Sequence, residues 1–447
     1  MDQPLVQPML RTLSASLLST AMATTVHASD EIAELRALVQ DLQAQINALK
    51  APLQTAAEPA PATATRYVEA GDLPGSFKLP GSDISIKLYG HVRFDSTYDI
   101  KGRQSNINST GWANSLFVQP LDRSAAGRRH GQTYATARGS RFGFMASMPT
   151  GTDAGPLLAK LEGDFDGRND LGGETQTSVR LREAYVKLGG LLVGQSWSTF
   201  VDLRAVPEMV EWNSTGIVPN IRQAMLRYGL PLGENGRVEL AVENSIGNSW
   251  SRPPNADFDT GYDLVARYDH NTAWGHFSLR GVSVQYENDR HDRRGYGLAA
   301  SARVNLGASD SIVLLAAGGE GIGRYLYNGL VQQAVATDEG IRLWKGWGAH
   351  LGYTHKWSDI LRSTAAVAYT RFTADETANA AQLAAVGGPL SDFAPNRELR
   401  QIFLSTLWSP YRNVDVGLDY TYGQRETFQD DEGTISRLSA MMRYRFE

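Results

Sequence analysis

Cysteine is absent from the 447 residues. A disulfide framework, a cysteine-ligated zinc or iron–sulfur centre and a thiol nucleophile are therefore excluded. Long hydrophobic runs are missing too: no stretch offers the roughly 18 consecutive apolar residues that a membrane-spanning helix requires. Nor does one sign of charge dominate. Lys+Arg number 43 and Asp+Glu 48, a formal net charge of -5, which is a poor footprint for a protein that wraps nucleic acid. What is abundant is glycine, at 44, beside 18 Tyr, 14 Phe and 9 Trp, in a chain of mean hydropathy -0.31. High glycine and many aromatics at low hydropathy suit a transmembrane β-barrel, where lipid-facing and lumen-facing side chains alternate and average out.

The first 83 residues read as an address, a helix and a spacer. Residues 1–28 resemble a secretory signal peptide: Arg11, then a small, moderately apolar run from Leu13 to Val26, then the small-x-small pattern Val26-His27-Ala28. Export accords with the lack of thiols, which an oxidising compartment would attack. Over 29–53, Ile32, Leu35, Val39, Leu42, Ile46, Leu49 and Leu53 recur at alternating spacings of three and four, with Pro52 as the stop. That is a coiled-coil seam of about three heptads, or else one amphipathic helix lying on a domain. Residues 54–83 are Ala-, Pro- and Thr-rich at their start and serve as a linker.

At Ile84 the period changes to two. Ile84, Ile86, Leu88, Gly90, Val92 and Phe94 alternate with Ser85, Lys87, Tyr89, His91, Arg93 and Asp95. Similar runs recur near 157–166, 262–269, 296–304, 414–422 and 437–446. A soluble β-sandwich alternates as well, but here the polar faces carry full charges strand after strand. Aromatics such as Tyr98, Trp274, Trp347, Trp357, Trp408 and Tyr411 fall near strand ends, as in an interfacial girdle. Short links (148–156, 189–190, 230–236, 269–273, 305–311, 356–360, 409–413) alternate with longer ones (99–131, 166–178, 198–220, 246–260, 287–294, 319–345, 373–397, 424–434). This is the connectivity of an outer-membrane barrel, and it predicts a closed all-β barrel of about sixteen antiparallel strands over 84–447. Sixteen strands leave an aqueous channel.

The third long link, 198–220, is unusual because Phe200, Met209 and Trp212 sit among Asp202, Glu208 and Glu211. Exposing that much apolar surface is unfavourable, so the loop is expected to fold inward. Its carboxylates are expected to face an early wall carrying Arg93, Arg141 and Arg182, with Arg180 and Arg222; Arg267, Arg280, Arg303 and Arg443 lie on later strands. Guanidinium groups keep their charge and grip carboxylates bidentately, and rings of them select anions. The plainer reading is that these arginines solvate the lumen and pair with Glu162, Asp164 and their neighbours.

The last strand, ending Tyr444-Arg445-Phe446, is similar to the C-terminal signature of outer-membrane barrels, apart from the added Glu447. Five further phrases resemble the DcaP-like porins: residues 73–81 (LPGSFKLPG), 140–144 (SRFGF), 194–200 (GQSWSTF), Arg222-Gln223 with Arg227-Tyr228, and 407–410 (LWSP) followed by 417–420 (GLDY). The resemblance covers most of 30–447. It implies a homotrimeric porin in outer-membrane lipid with its N-terminal helix in the periplasm, passing small anionic solutes such as dicarboxylates. A barrel hydrolase is the alternative, but the eight histidines lack a triad-like context and Gly-x-Ser-x-Gly is absent. An envelope-anchoring structural role is a further one. No motif points to a metal, a cofactor or nucleic acid.

Overall fold

The computed structural model describes residues 36–45, 47–48, 68–102, 121–125, 127–167, 178–211, 214–244, 258, 261–326, 332–391 and 393–446. The signal segment, much of the heptad seam, the start of the linker and Trp212 lie outside them. Residues 36–45 form helix α1, with every residue exposed. The chain divides at Val68/Glu69, and everything from Glu69 onward belongs to the barrel unit. Residues 69–83, expected to end the spacer, instead fold onto the first barrel strand. Phe77–Lys78 pairs with Ser85 and Ile86, and the Asp72 N–H donates to Ser85 Oγ at 2.9 Å.

The barrel strands follow in chain order. They are β1 (Ser85–Lys101), β2 (Gln132–Thr136 resuming as Arg141–Met148), β3 (Leu157–Gly167), β4 (Ser178–Leu188), β5 (Leu191–Trp197) and β6 (Arg222–Leu232). Next come β7 (Gly236–Asn244), β8 (Tyr262–Thr272), β9 (Gly275–Glu287), β10 (Asp292–Leu306) and β11 (Asp310–Glu320). The wall is completed by β12 (Lys345–Lys356), β13 (Leu361–Phe372), β14 (Asn396–Tyr411), β15 (Val414–Thr427) and β16 (Glu432–Phe446). Each pairs antiparallel with its chain neighbour, and β16 returns to β1 through Val92↔Tyr444 and Thr97↔Ser439. The result is the closed sixteen-stranded cylinder that the alternation implies. Closure matters because hydrocarbon offers no partner for a free N–H or C=O.

Two of the long links are markedly shorter than the sequence suggests. Those expected at 287–294 and 424–434 shrink to 288–291 and 428–431, because charged residues extend the ladders beyond the apolar band: Tyr286↔Arg293, Gln285↔Arg294 and Glu426↔Glu432 remain paired. The loops at this end are numbered one to eight below.

Exposure alternates as expected. Leu88, Val92 and Phe94 on β1, Leu240 on β7, Leu298 on β10, and Leu438 and Met442 on β16 point outward and stay exposed. Tyr228, Trp274, Tyr353, Trp357, Trp408, Tyr411 and Tyr444 ring the short-turn end; Tyr98, Tyr262, Tyr296 and Trp347 ring the other. These are the two aromatic belts of a membrane barrel.

The lumen is filled unevenly. Phe200, Ile217 and Ile221 of loop 3 form one buried apolar cluster with Ile322, Tyr325, Leu326, Ala334, Ile341 and Leu343 of loop 6 and with wall residues of β7–β11, β13 and β14. Within loop 6, Ala334–Thr337 and Gly340–Leu343 form a small hairpin. Val335 of that hairpin and Trp344 just after it pack on Ala378 of α2 (Glu376–Ala385) in loop 7. Asp375 caps α2 by accepting from the Ala378 N–H at 2.9 Å, the expected role for Asp before a helix. Among the described residues, no side chain of β1–β6 joins the cluster.

Candidate pore-lining site

Loop 3 is held by the late wall, contact by contact. The Thr199 N–H donates to Glu243 Oε1 on β7 (2.7 Å), and Arg280 Nη1 on β9 donates to the Phe200 carbonyl (2.9 Å). Arg267 Nη1 on β8 donates to the Val201 carbonyl (2.7 Å). His350 on β12 lies between Thr215 Oγ1 (2.6 Å) and the Ala205 carbonyl (2.9 Å). Further along, the Val210 N–H donates to Ser405 Oγ on β14 (3.1 Å) and the Glu211 N–H to Asp419 Oδ2 on β15 (3.1 Å). The Gly216 N–H reaches Gln401 Oε1 (3.0 Å). Loop 3 therefore lies inside the barrel, as its composition predicts, along the arc from β7 to β15.

The carboxylates do not face the early wall, contrary to the sequence expectation. Asp202 is buried between His276 Nε2 (3.1 Å), Ser301 Oγ (2.5 Å) and Arg267 Nη2 (3.3 Å). Burial alone would raise its pKa. The hydrogen bonds from His276 and Ser301, with the charges of Arg267 and Arg280, outweigh burial and hold it well below the usual carboxylate range. Glu208 grips Arg362 on β13 (2.6 and 2.9 Å). Glu211 is fixed through its backbone to Asp419. The early cations are answered by carboxylates of β3 and β4, whereas Asp202 and Glu208 meet donors of the late wall, Arg267, His276, Ser301 and Arg362.

Those early cations form a ladder. Arg182 is buried and bonds Glu162 Oε1 (2.8 Å) and Asp164 Oδ2 (2.7 Å). Arg180 takes Asp164 bidentately (2.9 and 2.7 Å) and reaches Asp166 (3.1 Å). Arg141 approaches Glu162 at 3.5 Å, and Lys160 pairs with Glu183 and Glu162. Arg222 lies over the Trp197 ring (4.4 Å) and donates to Asn220 Oδ1 (3.3 Å). The Arg141, Lys160 and Arg180 side chains keep 25%, 19% and 32% of their surface exposed, so the ladder presents a wet cationic face.

Two predicted residues stand elsewhere. Arg93 is buried, bidentate on Asp95 (2.6 and 2.9 Å), and donates to the Val210 carbonyl (2.8 Å); it secures loop 3. Arg303 is on β10 beside His276, across the barrel from the ladder. Sequence reasoning passed over Arg362 altogether, and assigned no lumen role to Arg445, Lys160 or Asp415. The signal was available for Arg362: it shares the inward phase of β13 with buried Thr364, Ala366 and Ala368.

A closed sixteen-stranded cylinder with an inward third loop, a charged lumen and paired aromatic belts defines the porin class of membrane β-barrels. Within that class, the chain belongs to the DcaP outer membrane protein family, whose model matches residues 70–446. The outer membrane channel DcaP of Acinetobacter baumannii superposes with a TM-score of 0.70 at 22% identity, covering 85% of this chain and 100% of that one. An anion-selective porin from Comamonas acidovorans shares the fold at a TM-score of 0.54 and 12% identity, covering 81% and 100% of the two chains. Porin Omp2b of Brucella suis is 30% identical over 241 residues, which is 50% of this chain and 58% of that protein. The chain thus spans 58% of the length of the Omp2b porins it matches.

Proposed function

We propose that this protein is a passive outer-membrane porin for small hydrophilic anions, with dicarboxylates the best-matched class. The observation that carries this reading is the uneven lumen: loops 3 and 6 fill the side of β7–β14, and the opposite wall presents Arg141, Lys160, Arg180 and Arg222. Solutes pass between loop 3 and that wall, which together form the constriction. Carboxylates on Arg182, Arg180 and Lys160 temper the ladder's charge, so an anion meets attraction without a trap, as conduction requires. The protein assembles as a homotrimer, and α1 forms a periplasmic coiled coil. In support, the seam residues Val39 and Leu42 are 55% and 49% exposed on α1 and want a partner.

Planar-bilayer recording of the detergent-purified protein tests this. Conductance steps are expected with reversal potentials favouring anions. Arg141→Ala with Arg222→Ala is expected to lower the anion-to-cation permeability ratio by roughly two- to threefold, as removing part of a charged ring does. A cation preference in the unaltered protein overturns the anion assignment, and no conductance overturns the pore.

A further inference from the structure

A second basic cluster, on β13, β15 and β16 towards the short-turn end, flanks β1 on the side opposite the ladder: His91 pairs with Arg445 on one side and Arg141 on the other. Its centre is Asp415, which is fully buried and accepts from Ser409 Oγ (2.7 Å), Arg443 Nη2 (2.7 Å) and Arg445 Nη1 (2.7 Å). Arg362 stands 3.5 Å from the same carboxylate through Nη2, and its Nη1 donates to Ser409 Oγ at 2.9 Å. The other edge of Arg362 is taken by Glu208, with Nε on Oε2 at 2.9 Å and Nη2 on Oε1 at 2.6 Å. Three guanidinium groups therefore meet two carboxylates, and the two differ in kind. Asp415 is enclosed by the wall. Glu208 comes from loop 3 and its side chain is 40% exposed, while Arg443 and Arg445 are 23% and 33% exposed.

We propose that this cluster is a second carboxylate-binding site of the passage, and that Glu208 is its resting occupant. A solute carboxylate takes the fork of Arg362 by displacing the loop carboxylate into water. The exchange replaces one anion with another on the same two N–H groups, so the charge of the wall is unchanged. Glu208 gives up little, because it is already partly hydrated. The loop need not move: Pro207 sits against Gly352, Met209 against Ala366 and Phe403, and the Val210 backbone is held by Arg93 and Ser405. Only one side chain swings. The tethered carboxylate thus sets how tightly the site holds a passing anion, and it keeps Arg362 from becoming a sink.

This inference rests on the porin reading, and one experiment separates the two. A short-chain dicarboxylate is titrated against chloride current through the full chain in a bilayer, and the apparent Kd is read from current block. Glu208→Gln is expected to tighten block roughly three- to tenfold, the scale of a half-exposed bidentate ion pair. Glu208→Ala is expected to act in the same direction. Arg362→Ala is expected to weaken block, and in that background Glu208→Gln is expected to have no further effect. If barrels carrying Glu208→Gln or Glu208→Ala bind the dicarboxylate as the parent does, or if the tightening persists without Arg362, the proposal is wrong although the pore stands. If the unaltered protein carries no current, the porin reading itself fails.

Discussion

Asp202 shows how much one carboxylate can secure. Its two oxygens draw on β8, β9 and β10 through Arg267, His276 and Ser301, and its Oδ1 also accepts from the Arg204 N–H at 3.1 Å. Such a group is stable in charged form only with every lone pair answered. Asp202→Asn is expected to cost on the order of 3 kcal/mol locally and to loosen the first turn of loop 3. Increased open-channel current noise is the measurement. The pH dependence follows in sign. The carboxyl is depressed on folding, so its contribution is complete at neutral pH, begins to erode below roughly pH 5, and is lost as pH falls through the folded value. Noise in the unaltered protein is therefore expected to stay low from neutrality to about pH 5, while Asp202→Asn is noisy throughout. At this scale the sequence tells which residues turn inward, since phase follows from alternation. It does not tell partners: Glu208 and Arg362 are 154 residues apart, and no local spacing encodes that meeting.

Among the elements, loop 6 matters as much as loop 3. Tyr325 is buried and its hydroxyl donates to Asp263 Oδ2 on β8 (2.6 Å) while accepting from Gln223 Nε2 on β6 (3.2 Å). Arg324 pairs with the same Asp263. Burial pushes the Tyr325 phenol up to about 12, so it remains a neutral donor across the working range. Tyr325→Phe removes one of the two donors to Asp263 Oδ2, leaving Arg324, and takes the acceptor from Gln223 Nε2; it is expected to cost about 1 kcal/mol, read as greater protease access to loop 6. Loop 3 has a comparable weak point in Gly352. A Cβ built there would meet Pro207 Cγ at 2.9 Å and Val313 Cγ2 at 2.9 Å. Gly352→Val is expected to lift the loop from the wall and change single-channel conductance without unfolding the barrel. The composition argument that revealed loop 3 applies equally to 321–344, where Ile322, Tyr325, Val335, Ile341, Leu343 and Trp344 crowd a nominal surface link. What sequence could not supply is the inner hairpin of Ala334–Thr337 and Gly340–Leu343, whose four-residue strands are too short for alternation to register. Conversely, loops 5 and 8 looked long because charged strand ends resemble loop composition.

For the molecule as a whole, the cylinder is the legible part. Period-two alternation, aromatic punctuation and alternating link lengths each point to it independently, and their agreement is stronger than any one signal. Its outer face makes solubility conditional: Leu88, Val92, Leu240, Leu298 and Leu418 are each more than half exposed, so aggregation on detergent removal is expected, monitored by light scattering. How the interior divides into a filled side and an open wall was not legible, because that depends on which strands end up opposite one another once the sheet has curled.

The anchors of loop 3 carry a consequence for biogenesis. The loop is synthesised between β5 and β6, yet Arg280, His350, Arg362, Ser405 and Asp419 all arrive later in the chain, and the Val210 carbonyl rests on Arg93 of the strand that β16 must seal. The segment gains its anchors as β7 to β15 are added, and the contact to Arg93 is made across the strand that closes the cylinder. The seating of loop 3 is thus among the last features the nascent protein completes, and an insertion intermediate stalled short of its final strands is expected to hold that loop loosely.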